Sequence, residues 1–487
     1  MDRRLAQGPP GSPAAPSTAP WRDRFPGILV GLGLVALAVA VYSWSAPDRY
    51  YNHFVWQALA FLDGRAAIDF PVGPIDGTPG NSFFQDVLPL RGPEGEPTGR
   101  GLLPFPPLPA IVLMPFVAIW GIATDQRIVS VALGAVDVGL AWWALGRLAA
   151  SWRIRLATTL FFAFGTVFWY AAQLGTTWFL AHVVALAPLL VAVGLALGAD
   201  PRADRRARPP GDPIGDLSQG LRTAVRAPWS LLDRRQVLAG FLFGLACTAR
   251  MTIAFGAPFF VLVGGGGSWI RRAASAGVGA AIPIGALLAY NVATTGQLVH
   301  PAYEYLYQLE AWGWPGLHYN LDWAIEDPRY LPQNLGIMFL AAPVLFPTEI
   351  PSALGLGSPL CLATDVRGLF DLGCPIALPQ DVGMSVLLTS PAYLLLLPAL
   401  SRVRRSRLVA GVALAMLAVG LVNAMHFSQG WVQFGYRFSN DLVAFALPAV
   451  ALGMARRGGV GLTGVVLLAI SMAVNFWGVK WGVLLGW

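Results

Sequence analysis

Two carboxylates and two arginines stand where apolar sequence meets polar sequence, and they are the chain's first candidates for chemistry. Asp48 follows the apolar run that ends near Trp44, and Asp86 sits in SFFQDVLPLRG, a mostly apolar stretch. Arg437 stands just ahead of the apolar run that carries Asp441, and Arg250 lies between two apolar segments with no charged neighbour in sequence. Isolated ionisable groups beside such segments are candidates for function. A carboxylate beside an attacking hydroxyl serves as general base. A guanidinium fork binds phosphate and neutralises charge on a departing group. Two readings need no chemistry. Asp48 suits the N-cap of a helix whose apolar positions Phe54, Val55, Ala58, Leu59 and Leu62 repeat at helical spacing. Arg437 and Asp441 are spaced as an i,i+4 pair. Asp63, before Gly64, reads as a helix-end residue.

The remaining reactive side chains narrow the classes. His53, His182, His300, His318 and His426 show no H-E-x-x-H or comparable ligand spacing, so no zinc site is expected. Cys247 lies inside an apolar run and reads as a small buried side chain. Cys361 and Cys374 bracket LATDVRGLFDLG in a polar region, and a disulfide is expected between them. No GxxxxGK[ST] occurs, which removes ATP-driven transport. No motif requires a cofactor; a divalent cation is the one group left open.

The elements that must position these groups are apolar helices. Of 487 residues, 55% are hydrophobic and only 12% charged, and the mean hydropathy is +0.58, with 18 Trp and 26 Phe. A soluble chain carries about twice that charge. The expected architecture is an all-α polytopic membrane protein. Apolar stretches lie near 28–44, 127–146, 157–173, 177–198, 237–249, 251–265, 275–292, 383–400, 408–425, 440–455 and 459–476, about 11 transmembrane helices. Taking 237–265 as two spans around Arg250 puts Arg147, Arg153, Arg155, Arg271, Arg272, Arg402 and Arg456 on one side, the cytoplasmic one. Residues 1–25 then form a disordered cytoplasmic tail, followed by one transmembrane catalytic domain, 26–476, that includes the outer loops 47–126 and 293–382 and the cytoplasmic loop 199–235. Pro106–Gly121 and the 335–347 segment are expected as juxtamembrane helices on the outer surface. The GVGAAIPIG stretch is a helix-packing pattern.

In that frame four pieces resemble bacterial C-type (GT-C) membrane glycosyltransferases, in the branch of the protein O-mannosyltransferases and lipid A aminoarabinose transferases. They are Asp48 through Asp63-Gly64-Arg65; the Pro-containing helix from Phe105-Pro106-Pro107 to Gly121 with Arg127 opening the second span; Gly240 and Gly244 before Thr248-Ala249-Arg250, with Tyr290-Asn291; and Gln433 through Asp441. The resemblance covers roughly 26–455. Asp48 is followed by Arg49 where many relatives have Asp-Glu, and Gln173–Thr177 stands where some have an Asp.

The resemblance implies a GT-C fold in the bacterial cytoplasmic membrane with the active site facing outside. It implies inverting transfer of a sugar from a polyprenyl-phosphate donor to a glycan, lipid or protein acceptor, with no nucleic acid involved. Asp48 is the expected base and Asp86 the second carboxylate. Arg437 and Arg250 are the donor-phosphate ligands, and Asn52, His53, Arg65, Tyr290, His426, Gln433 and Tyr436 the further substrate contacts. The rival from another class is a lipid or small-molecule transporter or flippase, for which Asp137, the acid well inside a span, is the pertinent residue.

Overall fold

The computed structural model describes residues 21–44, 51–69, 86–148, 150–200, 232–304, 320, 322–351, 357–362, 364–428, 430, 432–456 and 459–487. Asp48, His318, most of the 199–235 loop and residues 1–20 lie outside the described residues.

Helices dominate. In chain order they are α1 (Trp21–Trp44), α2 (His53–Leu62), α3 (Leu108–Trp120), α4 (Gln126–Leu145), α5 (Trp152–Phe164), α6 (Phe168–Leu174), α7 (Thr177–Ala199), α8 (Arg234–Cys247), α9 (Pro258–Leu262) and α10 (Trp269–Thr295). They continue with α11 (Leu331–Leu340), α12 (Val386–Thr389), α13 (Leu396–Leu400), α14 (Arg407–Met425), α15 (Asn440–Met454) and α16 (Leu462–Leu484). Starts follow the sequence. Asp125, Ser151, Asp233, Ser268 and Ser406 each accept a backbone N–H of the first turn. Six helices, α1, α4, α7, α10, α14 and α16, are long and apolar enough to cross a membrane, and α5 with α6 makes a seventh, bent by 51°. Of the other four expected segments, α8 and α15 are continuous helices of 14 and 15 residues, too short to pass by length, and the chain at 251–262 and 386–400 is broken into short helical pieces that restart at Pro258 and Pro391.

Several expectations change. Helix α1 starts at Trp21, so the expected tail 1–25 gives its last residues to the helix. Helix α2 starts at His53 with Asn52 in the N-cap position, which removes Asp48 as its cap. Helix α3 covers 13 residues of the expected surface helix, but 335–347 is helical only to Leu340. The chain is not purely α. Within 47–126, Ile68–Asp69 (β1), Leu88–Arg91 (β2) and Pro97–Leu102 (β3) form an antiparallel sheet in the order β1-β3-β2. Val344–Leu345 (β4) pairs with Ala377–Leu378 (β5), and Ala455–Arg456 (β6) with Gly459–Val460 (β7). These two-residue strands are too short for period-2 alternation to register.

The question of one segment or two around Arg250 has a geometric answer. Gln236, at the start of α8, donates to the carbonyls of Phe260 and Val263 at the end of α9, and accepts from Gly265 N–H. The start of one leg therefore touches the end of the other, and the chain from 234 to 262 is a hairpin with Arg250 at its tip. Helix α10 packs along α8 through small residues. A Cβ on Gly240 or Gly244 would strike the Ala276 or Ala280 backbone, and one on Gly279 the Val237 carbonyl. This close approach is the small-residue packing of membrane helices.

Cys361 and Cys374 are disulfide-bonded, with Cα atoms 5.1 Å apart and a sequence separation of 13; Cys247 is free and buried. Closing a loop of that size stabilises by about 3 kcal/mol through the unfolded chain. Replacing both by Ser should lower stability by about that amount. Alkylation of unfolded, unreduced protein should label Cys247 alone; labelling of all three would contradict the bridge.

Candidate active site

The site is built on the end of the bundle where α7, α15 and the 234–262 hairpin meet. The N-terminus of α7 holds the chain that enters α2. Thr177 N–H and hydroxyl both donate to the Tyr51 carbonyl, at 3.0 and 2.7 Å. With its proton so committed, the Thr177 hydroxyl accepts from His53 N–H at 3.1 Å and from His53 Nδ1–H at 2.8 Å. His53 is thereby fixed as the Nδ1–H tautomer, between Trp178 and Phe105.

The next residue, Trp178, carries the carboxylate. Its indole N–H donates to Asp86 Oδ2 at 2.6 Å, and its ring packs on Tyr51 at 5.0 Å between centroids. Asp86 is buried and adopts φ 61°, a left-handed conformation in which only Gly, Asn and Asp are common. Burial pushes its carboxyl up to about 6, while the Trp178 hydrogen bond and the Arg437 charge pull the other way. A carboxyl at that value exchanges its proton close to neutral pH.

Arg437 reaches the site from the loop before α15. Gln433 sets that loop: its Oε1 accepts Arg437 N–H at 3.0 Å, and its Nε2 donates to the Val382 and Gly430 carbonyls. Gly430, at φ 78°, lies where a Cβ would strike the Arg437 guanidinium, so only glycine fits. The guanidinium lies between the rings of Phe179 and Phe438, at 5.4 and 5.3 Å.

Asp441, buried at the start of α15, is saturated with donors. Arg250 grips it from the hairpin tip through Nε at 3.2 Å and Nη2 at 2.9 Å, and His182 Nδ1–H donates at 2.8 Å. Thr252 and Asn423 add bonds at 2.7 and 3.3 Å. The expected i,i+4 partner of Asp441, Arg437, is therefore replaced by Arg250, 191 residues away. Asp441 cannot act as a base in this state; it orients Arg250, whose outer edge stays partly exposed. Tyr303, half-buried, lies in the fields of Arg250, Glu326 and Asp86.

Other expected contacts sit apart. Arg65 pairs with Asp63 and Asp69 at the surface. Tyr290 accepts from Gln57 at 3.4 Å and lines an apolar groove of about 530 Å³ between α2, α3, α8 and α10, together with Phe61, Leu108, Thr248 and Leu287. His426 binds Glu326 at the rim and packs on Phe438. Gln433 and Tyr436 are wholly buried, and both bond within the segment around Arg437: Gln433 accepts from Arg437 N–H and Tyr436 donates to the Asn423 carbonyl. Asn52 starts α2. Trp178, Tyr303, Thr252 and Asn423 carry no sequence signal as site residues; the nearest one is the Gln173–Thr177 stretch just ahead of Trp178.

No protein-family description matches this sequence, and no curated protein matches it. Two solved structures are similar. One is the archaeal oligosaccharyltransferase AglB from Archaeoglobus fulgidus in complex with an inhibitory peptide and a dolichol-phosphate: 12% identity, TM-score 0.42, covering 95% of this chain and 56% of that one. The other is the Archaeoglobus fulgidus oligosaccharyltransferase in the apo form: 12% identity, TM-score 0.36, covering 93% and 56%. This chain spans about half the length of those proteins. At these scores neither fixes fold or activity.

Proposed function

We propose that the chain is a membrane glycosyltransferase of GT-C type that moves a sugar from a polyprenyl-phosphate donor to an acceptor on the outer side of a bacterial cytoplasmic membrane. One observation carries the reading: a buried carboxylate, Asp86, shares a site with the Arg437 guanidinium, close to the Arg250–Asp441 pair and an apolar groove whose wall includes Thr248. Asp86 takes the proton of the acceptor hydroxyl as its oxygen attacks the anomeric carbon. The C–O bond to phosphate breaks, and polyprenyl phosphate leaves with its charge neutralised by Arg437 and the free edge of Arg250. Attack opposite the leaving group inverts the configuration. The groove accommodates the prenyl chain. Asp48, three residues before the Tyr51 anchor in sequence, is the second carboxylate. Asp86 takes precedence because its burial supplies the raised affinity for a proton that a base needs at neutral pH.

The transporter reading keeps one specific observation. Asp137 is buried in α4, and neither carboxylate oxygen has a hydrogen-bond partner among the described residues. Purified protein given radiolabelled polyprenyl-phosphate sugars and a cell-envelope acceptor fraction distinguishes the two. Transfer of label with release of polyprenyl phosphate supports the proposal. Uptake into proteoliposomes without turnover overturns it.

Arg437→Ala removes a charge-assisted bond worth about 1.5–3 kcal/mol, so polyprenyl phosphate should bind about 10- to 150-fold more weakly. Equilibrium binding in detergent checks this, and unchanged affinity would contradict Arg437 as a phosphate ligand. Arg437→Lys should recover only part, because an ammonium cannot reproduce the fork.

A further inference from the structure

We infer that the disulfide-stapled segment 344–378 is a lipid-facing knob that seats in the outer leaflet and fixes the height of the Arg437 loop. The described residues of this segment are tied together at several points. The Cys361–Cys374 bridge closes it, β4 pairs with β5, and Arg367 donates to the carbonyls of Pro347, Pro375 and Leu362. Yet it presents apolar side chains outward. Phe346, in a left-handed conformation at φ 49°, Leu362, Leu369 and Leu372 are all exposed, and Val366 is 95% exposed. A surface that holds large apolar groups away from the protein is built to meet something apolar.

What it meets follows from continuity with the lipid-facing helices. Phe370 packs on Phe476 and Trp481 of α16, each at 6.2 Å, and Phe476 in turn stacks on Trp44 at the end of α1, at 6.4 Å. At 1.5 Å per residue, Phe476 lies about 21 Å and Trp481 about 28 Å along α16, against a hydrocarbon thickness of about 30 Å. Phe370 therefore sits at the outer boundary of the hydrocarbon, and Leu369 and Leu372 flank it in the same loop. The occupant that reaches this depth without a gap is the bilayer itself. The knob leads directly into the site. Three residues after β5, the Asp381 carbonyl accepts Gln433 N–H at 3.0 Å, and Met384 N–H donates to the Gly435 carbonyl at 3.1 Å. An anchor at 344–378 thus holds the loop that carries Arg437.

A Val366→Cys protein, labelled with an environment-sensitive fluorophore in lipid nanodiscs, tests this, since residue 366 makes no packing contact that labelling would break. The expected result is blue-shifted emission, quenched by lipids spin-labelled near the headgroup and protected from aqueous iodide. Water-like emission with full iodide quenching overturns the inference. So does blue-shifted emission insensitive to spin-labelled lipid, which would mean a protein covers the knob. A second label at Leu369→Cys should be quenched more strongly than one at 366 by spin labels placed deeper in the acyl chain, and the reverse order would also overturn the inference.

Discussion

Asp86→Asn should fold, bind donor as the wild type does, and lose about 10²–10⁴ in turnover. The substitution isolates the proton. Asn has the same shape, its carbonyl oxygen can accept the Trp178 N–H, and it is among the few residues that tolerate the left-handed backbone found at this position. What it cannot do is take a proton. The pH dependence carries a second signature. In the folded protein the Asp86 carboxyl is pushed up to about 6, above its ordinary value of 3.8, chiefly by burial. Only the ionised form is a base, so turnover should rise with pH through about 6 and level off above it. Stability runs the other way. The fold prefers the neutral acid, so the contribution of this group is fully present below its unfolded value and is lost as pH rises through about 6. Asp86→Asn should flatten both dependences. Wild-type turnover in that variant would move the base to Asp48.

Arg250→Ala should cost about 3–5 kcal/mol of stability, because it strands a buried carboxylate. Asp441 would keep His182, Thr252 and Asn423 as partners, but none replaces a bidentate cation. The bond also ties the tip of the 234–262 hairpin to the start of α15, so its loss frees two elements at once. The double variant Arg250→Met with Asp441→Leu separates architecture from chemistry. Removing both charges together should restore most of the stability, as it does where apolar side chains of similar volume replace a buried pair. Donor binding should remain impaired, because Arg250 is gone. Melting and denaturant curves in detergent measure the first effect. A single Arg250→Ala protein as stable as wild type would show that the pair does not hold the site.

How much was legible in the sequence depends on the range of the interaction. Hydropathy and arginine placement located every long helix and the hairpin around Arg250, because burial and charge asymmetry are local properties of a segment. The Cys361–Cys374 bridge was legible because two cysteines shared one polar loop between apolar segments. The site was legible by residue type but not by pairing. Asp441 looked like a partner for Arg437 at i,i+4, and its true partners Arg250 and His182 are 191 and 259 residues away. Trp178 carried no mark as the holder of Asp86, since indole N–H groups sit at many membrane boundaries. Gln433 and Tyr436, read as substrate contacts from their motif, are bonded within the protein, which their sequence neighbours did not show. The two-residue strands were invisible for want of length, and β3, PTGRGL, because its Pro and two Gly read as a turn.

The central claim is a single displacement at a phosphate-bound anomeric carbon with Asp86 as base. Its most direct test is the anomeric configuration of the sugar transferred by purified protein, determined by NMR against that of the polyprenyl-phosphate donor. The account predicts inversion, with polyprenyl phosphate released in equal amount and both products lost in Asp86→Asn. Transfer with retained configuration would contradict it.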